Sequence, residues 1–316
     1  LKRKAVVVVG PTASGKTALG VNICKAFNGE VISADSMQIY KGLQISTAKP
    51  DSVEMDGVKH HLIDFLDVTE KYSVSDYCKD ARMVFDDIVS RGKLPVIVGG
   101  TGLYIDSFLT NTEFLDEASS DDVRNELFKE LKEKGAEFMH NKLRDIDPEA
   151  AGKIHPNNTV RVIRALEVYK TTGKTITQQT LDSHKIESDI EPLYIGISYN
   201  DREKLYDRIN LRVDLMLEKG LLDEARNFFG SNPSKTAFNS IGCKELKPYV
   251  DNEKSLDECV EQLKRSTRRY AKRQLTWFKR NPDIHWFYPD LNDGDINLQV
   301  FDLINKFLVG ERLEEE

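Results

Sequence analysis

The residues Gly10, Pro11, Thr12, Ala13, Ser14, Gly15, Lys16 and Thr17 follow the pattern G-x-x-x-x-G-K-[ST], directly behind an apolar run at 5–9. In such a loop the glycines let the backbone approach a phosphate, successive N–H groups point at its oxygens, the lysine reaches the terminal phosphate and the hydroxyl ligates Mg²⁺. Strand before and helix after distinguish it from a glycine-rich turn. A kinase or NTPase is the usual chemistry, with a carboxylate closing a neighbouring strand to hold the metal. Here "LPVIVGGTGLY" ends instead in Gly99, Gly100 and Thr101. Asp35, closing "EVISAD", is the carboxylate at a strand end beside the loop, where open α/β sheets bind ligands. It is a general base or a metal ligand. The same loop could also hold a compound whose phosphate departs. Lys16, Thr17-bound Mg²⁺ and a nearby arginine would then stabilise the leaving diphosphate while Asp35 prepares the nucleophile.

The elements that position these groups alternate through the first third of the chain. Residues 5–9 read as a buried strand, "KTALGVNICKAF" as a helix, "EVISAD" as a strand, "VSDYCKDARMVFDDIVSRG" as an amphipathic helix and "KLPVIVGG" as another strand. The order predicts an α/β fold: a P-loop NTPase-like parallel sheet with helices on both faces. From about Asp116 the segments become charged and helix-periodic, so 116–190 reads as an inserted helical domain. The catalytic core is then 1–115 and 191–316. "EPLYIGISY" returns to the sheet, and the chain reads as helical from "DREKLYDRINLRVDLMLEKG" to "TRRYAKRQLTWFKR".

Composition narrows the partners. With 316 residues, 40% hydrophobic and a formal net charge of -7, the chain is an ordinary globular protein and not a wholly basic nucleic-acid binder. Cys24, Cys78, Cys243 and Cys259 are scattered without a C-x-x-C pair, which fits a reducing cytoplasm and gives no zinc signature. No membrane partner is expected, since no apolar run reaches spanning length, and "LKRKAVVVVGPT" does not read as a signal peptide.

Several stretches, in order, resemble one family. "GPTASGKTAL", "VISADSMQIYKGLQISTAKP", "HHLIDFLDV", "PVIVGGTGLY", "HPNNTVRVIRALEVYKTTGK", "DREKLYDRINLRVDLML" and "TRRYAKRQLTWFKR" are similar to the bacterial tRNA dimethylallyltransferases. The resemblance implies transfer of the dimethylallyl group of dimethylallyl diphosphate to the exocyclic amine of the adenosine just 3′ of the tRNA anticodon, with release of diphosphate aided by Mg²⁺. It implies Asp35 as base, Thr101 as a contact to the target nucleotide, and Asp35, Ser36, Met37 and Gln38 as a tRNA-contacting segment. Lys16 and Thr17 join them as catalytic residues, and residues 10–17 bind the diphosphate. Arg208 is the candidate guanidinium for it, because a planar fork pairs with phosphate oxygens. Arg124, Arg161 and Arg164 are candidate tRNA contacts in the insertion. The chain departs from the family pattern at Val160 and Cys243, and the zinc finger of eukaryotic members is not expected.

Other readings compete. The run 264–280 holds eight Lys or Arg and no acid, which suits either a solvated helix face or a tRNA phosphate stripe. Tyr270, Trp277 and Phe278 recur near helical spacing, which favours core over base stacking. Arg161 and Arg164 share a helix face and could simply pair with acids, and Arg124 has similar status. His60 and His61 point opposite ways on a strand, which argues against a shared metal and for hydrogen bonding. The rival activities are an adenylate isopentenyltransferase acting on free nucleotide, a small-molecule kinase, and a nucleotide-switched binding protein.

Overall fold

The computed structural model describes residues 2–112, 121–183, 187–291 and 295–311. The strands are β1 (Arg3–Val9), β2 (Gly29–Ala34), β3 (His60–His61), β4 (Leu94–Gly99), β5 (Ile190–Ile197) and β6 (Ile284–Phe287). Between them run α1 (Lys16–Ala26), α2 (Ser52–Met55), α3 (Val74–Ser90) and α4 (Gly102–Leu109), then α5 (Asp121–Ile146), α6 (Pro148–Lys153), α7 (Thr159–Thr172) and α8 (Ile176–Ser183). After β5 come α9 (Arg202–Glu218), α10 (Leu221–Gly230), α11 (Lys235–Phe238), α12 (Cys243–Val250), α13 (Leu256–Phe278) and, beyond β6, α14 (Asn297–Val309).

All strand pairings are parallel, in the order β3-β2-β4-β1-β5-β6. Parallel strands covered on both faces read as unbroken apolar runs, and Ala5 through Val9 are fully buried. Val6 and Val8 pack with Leu19 and Ile23 of α1 and with Val300 and Ile304 of α14. The alternate residues Val7, Ile32 and Ile97 point the other way and are equally buried. There α3 packs against β2 and β4, with its Phe85 edge-on to Phe108 of α4. Helix α3 starts where Ser73 and Asp76 cap one another, the Ser73 hydroxyl accepting the Asp76 N–H at 3.2 Å and the carboxylate accepting the Ser73 N–H at 2.8 Å.

The N-terminal end of β2 carries Glu30, 3% exposed. Its carboxylate accepts from both Arg91 terminal nitrogens at 2.6 and 2.7 Å, from Lys93 Nζ at 2.7 Å, and lies 2.7 Å from His61 Nε2. His60 Nδ1 instead approaches the Val58 carbonyl at 3.0 Å. The two histidines have separate partners, in keeping with their opposite directions on β3.

The chain divides into two compact units, one made of Leu1–Phe108 with Asp189–Glu316, the other of Leu109–Ser188. Asp116, where the composition changes, lies outside the described residues. In the first unit a second core joins α9, α10, α12 and α13 through Val213, Phe228, Leu246 and Leu263, and receives Ile39 and Leu43 from the segment after β2. The second unit has its own core, with Leu127, Met139 and Leu143 of α5 against Val162, Ile163 and Leu166 of α7. Asp147 caps α6 by accepting the Ala150 N–H at 3.0 Å, and its carboxylate also accepts the Thr177 hydroxyl at 2.7 Å. The segment after Arg280, unassigned from sequence, supplies β6 and α14. Strand β6 holds only four residues, "IHWF", too few for alternation to be read.

Candidate functional site

The phosphate loop begins where β1 ends. Gly10 has φ 150, and a Cβ there would lie 2.2 Å from the Ile197 carbonyl oxygen, so only glycine lets the loop leave β1 beside β5. Ala13 takes a left-handed φ of 63, and its carbonyl accepts from Arg208 Nε at 3.0 Å. Helix α1 starts at Gly15 with no side-chain cap, which leaves its first amides as donors for an anion. Lys16 Nζ donates to the Pro11 carbonyl at 2.6 Å. Burial pushes the ammonium down to about 7, the Arg212 charge adds to this, and Asp35 opposes it.

Asp35 stands just beyond β2. Its Oδ1 accepts the amides of Met37 at 2.9 Å and Gln38 at 3.4 Å, so the chain turns around the carboxylate. Thr101, just beyond β4, stitches the two strand ends together. Its N–H donates to Ala34 O at 3.1 Å and its hydroxyl accepts the Ser36 amide at 3.0 Å. Gln38 turns its amide to the carbonyls of Thr47 and Ala48 at 3.2 and 3.3 Å, which fixes the following loop. Met37 packs on the second core.

Part of the loop and the turn after β2, though not Thr101, line one cavity of about 330 Å³. Lys16, Thr17 and Asp35 line it, and across from them stand Arg212 of α9 with Tyr270 and Gln274 of α13. The space matches a small-molecule site with a few convergent polar groups. Burial lowers the Arg212 guanidinium from its usual value, and the carboxylates of Asp35 and Glu54 hold it up. Charge of both signs thus meets in one partly desolvated space. Among the described residues no group of three His, Cys, Asp or Glu side chains is placed to hold a metal. The Thr17 hydroxyl, which lines the cavity, is of a type that could ligate an Mg²⁺ brought in with a phosphate.

The structure sets two arginines of α9 near the loop. Arg208 is exposed, holds the Ala13 carbonyl and stacks on Tyr199 at 5.1 Å, whereas Arg212, one turn later, lines the cavity. Both lie three residues past a buried apolar position of α9, Leu205 and Ile209, so periodicity gives their common face but not their height along the axis. Among the aromatics, Phe278 is buried as expected, but Tyr270 lines the cavity, and Trp277 is half-buried with its Nε1–H donated to Asp106 at 2.8 Å. Tyr270, read from the sequence as core, is largely buried and its hydroxyl meets Thr101. Sequence reasoning also missed Gln274 and Ser240. The Ser240 hydroxyl is buried without a hydrogen-bond partner among the described residues, and its residue lines the cavity.

The remaining candidates lie in the second unit. Glu167 of α7 is fully buried and accepts from Arg164 at 3.0 Å and from Arg124 at 3.1 Å. Arg161 is exposed on the same helix.

Comparison with known proteins identifies the family. The family model described as IPP transferase matches residues 38–281. A tRNA dimethylallyltransferase of Acetivibrio thermocellus is 52% identical over 92% of this chain and 93% of its own length. One from Halalkalibacterium halodurans is 45% identical over 100% and 99%. Among solved structures, the full-length tRNA isopentenylpyrophosphate transferase of Bacillus halodurans aligns with a TM-score of 0.72 at 44% identity, over 98% of this chain and 96% of that one. A eukaryotic dimethylallyltransferase acting on tRNA aligns with a TM-score of 0.84 at 31% identity, over 99% and 81%. The phosphate loop, the strand-end carboxylate and these matches together place the chain in the IPP transferase family.

Proposed function

We infer that the protein is a tRNA dimethylallyltransferase. It moves the dimethylallyl group of dimethylallyl diphosphate to the exocyclic amine of the adenosine 3′-adjacent to the anticodon. The single observation that carries the site assignment is that one cavity joins a phosphate-binding loop to a carboxylate and lacks the strand-end acid of an NTPase on β4.

The diphosphate lies against the loop amides, Lys16 and Arg212. Were Mg²⁺ bound, the Thr17 hydroxyl would hold it and it would supply further positive charge for the leaving group. The amine nitrogen bonds to the allylic carbon as that carbon's bond to diphosphate oxygen breaks, and the electron pair leaves with the diphosphate. The nitrogen's proton passes to Asp35, whose Oδ1 is already engaged by two amides, so the other oxygen takes it. Thr101 and Tyr270 border the acceptor base. Arg124, Arg161 and Arg164 of the 109–188 unit, with the exposed Arg265, Arg269 and Lys272 of α13, contact tRNA phosphates. The cytoplasm, where such an acceptor resides, is the place of action. Among the described residues no helix is long and apolar enough to cross a membrane.

The test is incubation with labelled dimethylallyl diphosphate and either unmodified tRNA or AMP. Label in tRNA alone is expected. Label in AMP alone would replace this reading by the free-nucleotide activity, and consumption of ATP with phosphorylation of an acceptor would replace it by a kinase.

A further inference from the structure

Gln274, on the buried face of α13, is 5% exposed and lines the cavity. Its Oε1 accepts the Thr12 amide of the phosphate loop at 2.8 Å, and its Nε2 donates to the Gly100 carbonyl at 3.0 Å. A backbone N–H can only donate and a carbonyl can only accept, so the amide has one orientation here. The approach is close enough that a Cβ on Gly100 would fall 2.0 Å from Nε2. One helical turn earlier, Tyr270 interacts with the side chains of Thr101 and Gln274. The Thr12 amide is therefore not available to the diphosphate; it anchors the loop.

We propose that Gln274 is a positioning residue that ties the phosphate loop to the turn bearing Thr101, fixing the separation between the leaving diphosphate and the acceptor amine. This rests on the transferase reading above. A primary amide of this length accepts from Thr12 and donates to Gly100 with no titratable proton. Displacement of about 1 Å between reacting groups is enough to lower a rate on the order of a hundredfold, so such a brace acts on kcat as well as on donor binding.

The test uses the full chain, with Gln274→Met and Gln274→Glu beside wild type. The readouts are kcat and both KM values with dimethylallyl diphosphate and unmodified tRNA, calorimetric binding of inorganic diphosphate, and thermal unfolding. Gln274→Met keeps the length but neither hydrogen bond. It is expected to weaken diphosphate binding about tenfold and lower kcat about ten- to a hundredfold, with KM for tRNA within about twofold of wild type. In Gln274→Glu a protonated carboxyl makes both bonds, whereas the ionised form repels the Gly100 carbonyl and the diphosphate. Its activity relative to wild type is expected to rise as pH falls, a response that mere loss of packing does not give. Unchanged kcat and diphosphate affinity in Gln274→Met, or a wild-type pH profile in Gln274→Glu, overturns the proposal, and if the Met variant fails to fold the Glu profile decides. Absence of transfer to tRNA by the wild type sinks the transferase reading itself, while the diphosphate titration still judges the brace.

Discussion

The two ends of β2 carry two carboxylates in opposite circumstances. Glu30, at the amino end, is buried and surrounded by Arg91, Lys93 and His61, which hold its carboxyl well below the usual range. Asp35, at the carboxyl end, accepts two amides on one oxygen and faces a cavity with Lys16 and Arg212. One acid has its charge answered by side chains of the fold; the other is met by two backbone amides and lines the cavity. Three cationic or imidazole partners in direct contact fit a structural role, and a carboxylate lining a cavity at a strand's carboxyl end is the one to test for a catalytic role.

The largest break in this comparison is expected at Asp35. Asp35→Asn should lower transfer by about 10²–10⁴-fold, with tRNA binding and thermal stability close to wild type. Single-turnover rates beside unfolding curves check it, and a near-normal rate would remove the base assignment.

Glu30→Gln should do the reverse, leaving turnover intact while lowering stability. About 2 kcal/mol is expected, less than for a wholly buried cluster because Arg91 and Lys93 are partly exposed. The pH dependence follows. With the folded-state carboxyl depressed, its stabilisation is full above the ordinary carboxylate value and is lost as pH falls through the folded value. Denaturant titrations from neutral to acid pH should therefore converge for wild type and variant at the acid end.

Lys16 sharpens the contrast on the ligand side. Its ammonium, pushed down to about 7, loses its proton as pH rises through that value, and a bound diphosphate restores it. Diphosphate binding at pH 8 should take up nearly one proton, and affinity should fall by at most about tenfold per pH unit above 7. Calorimetry in buffers of different ionisation enthalpy measures the uptake, and Lys16→Met should abolish it.

The smallest effect concerns the same distinction in the helical unit. Arg161→Ala should reduce the slope of log affinity for tRNA against log salt by about one unit without loss of stability. Arg164→Ala should also destabilise the fold, because it leaves the buried Glu167 with one fewer partner. Equal unfolding temperatures for the two variants would erase the difference between them.

Much of this was legible beforehand where the signal is local. The phosphate loop is a contiguous stretch whose backbone does the work, and Asp35 and Thr101 end apolar runs that could be recognised one by one. Arg212 and Gln274 were not legible in the same way. Each reaches the cavity from a helix distant in sequence, and helical periodicity assigns a face without saying what lies opposite. Gln274 carries no charge and no motif, and its meaning appears only once Thr12 and Gly100 stand on either side of it. Glu167 was equally hidden, since a glutamate in a charged segment reads as solvated until α5 brings Arg124 beside α7. Strand β6 escaped because four residues give no period.

The order of the sheet also bears on how the enzyme is made. Strand β1, which carries the phosphate loop, pairs with β5 from Arg3 against Ile190 onward, and β5 pairs with β6 only from Ile284. During synthesis the N-terminal strand waits with one edge open while the whole helical unit emerges, and the donor pocket still lacks Arg212, Tyr270 and Gln274. Closing such long-range parallel pairs is slow. The cavity is completed late in translation, and until then β1 has only β4 to cover one of its two edges.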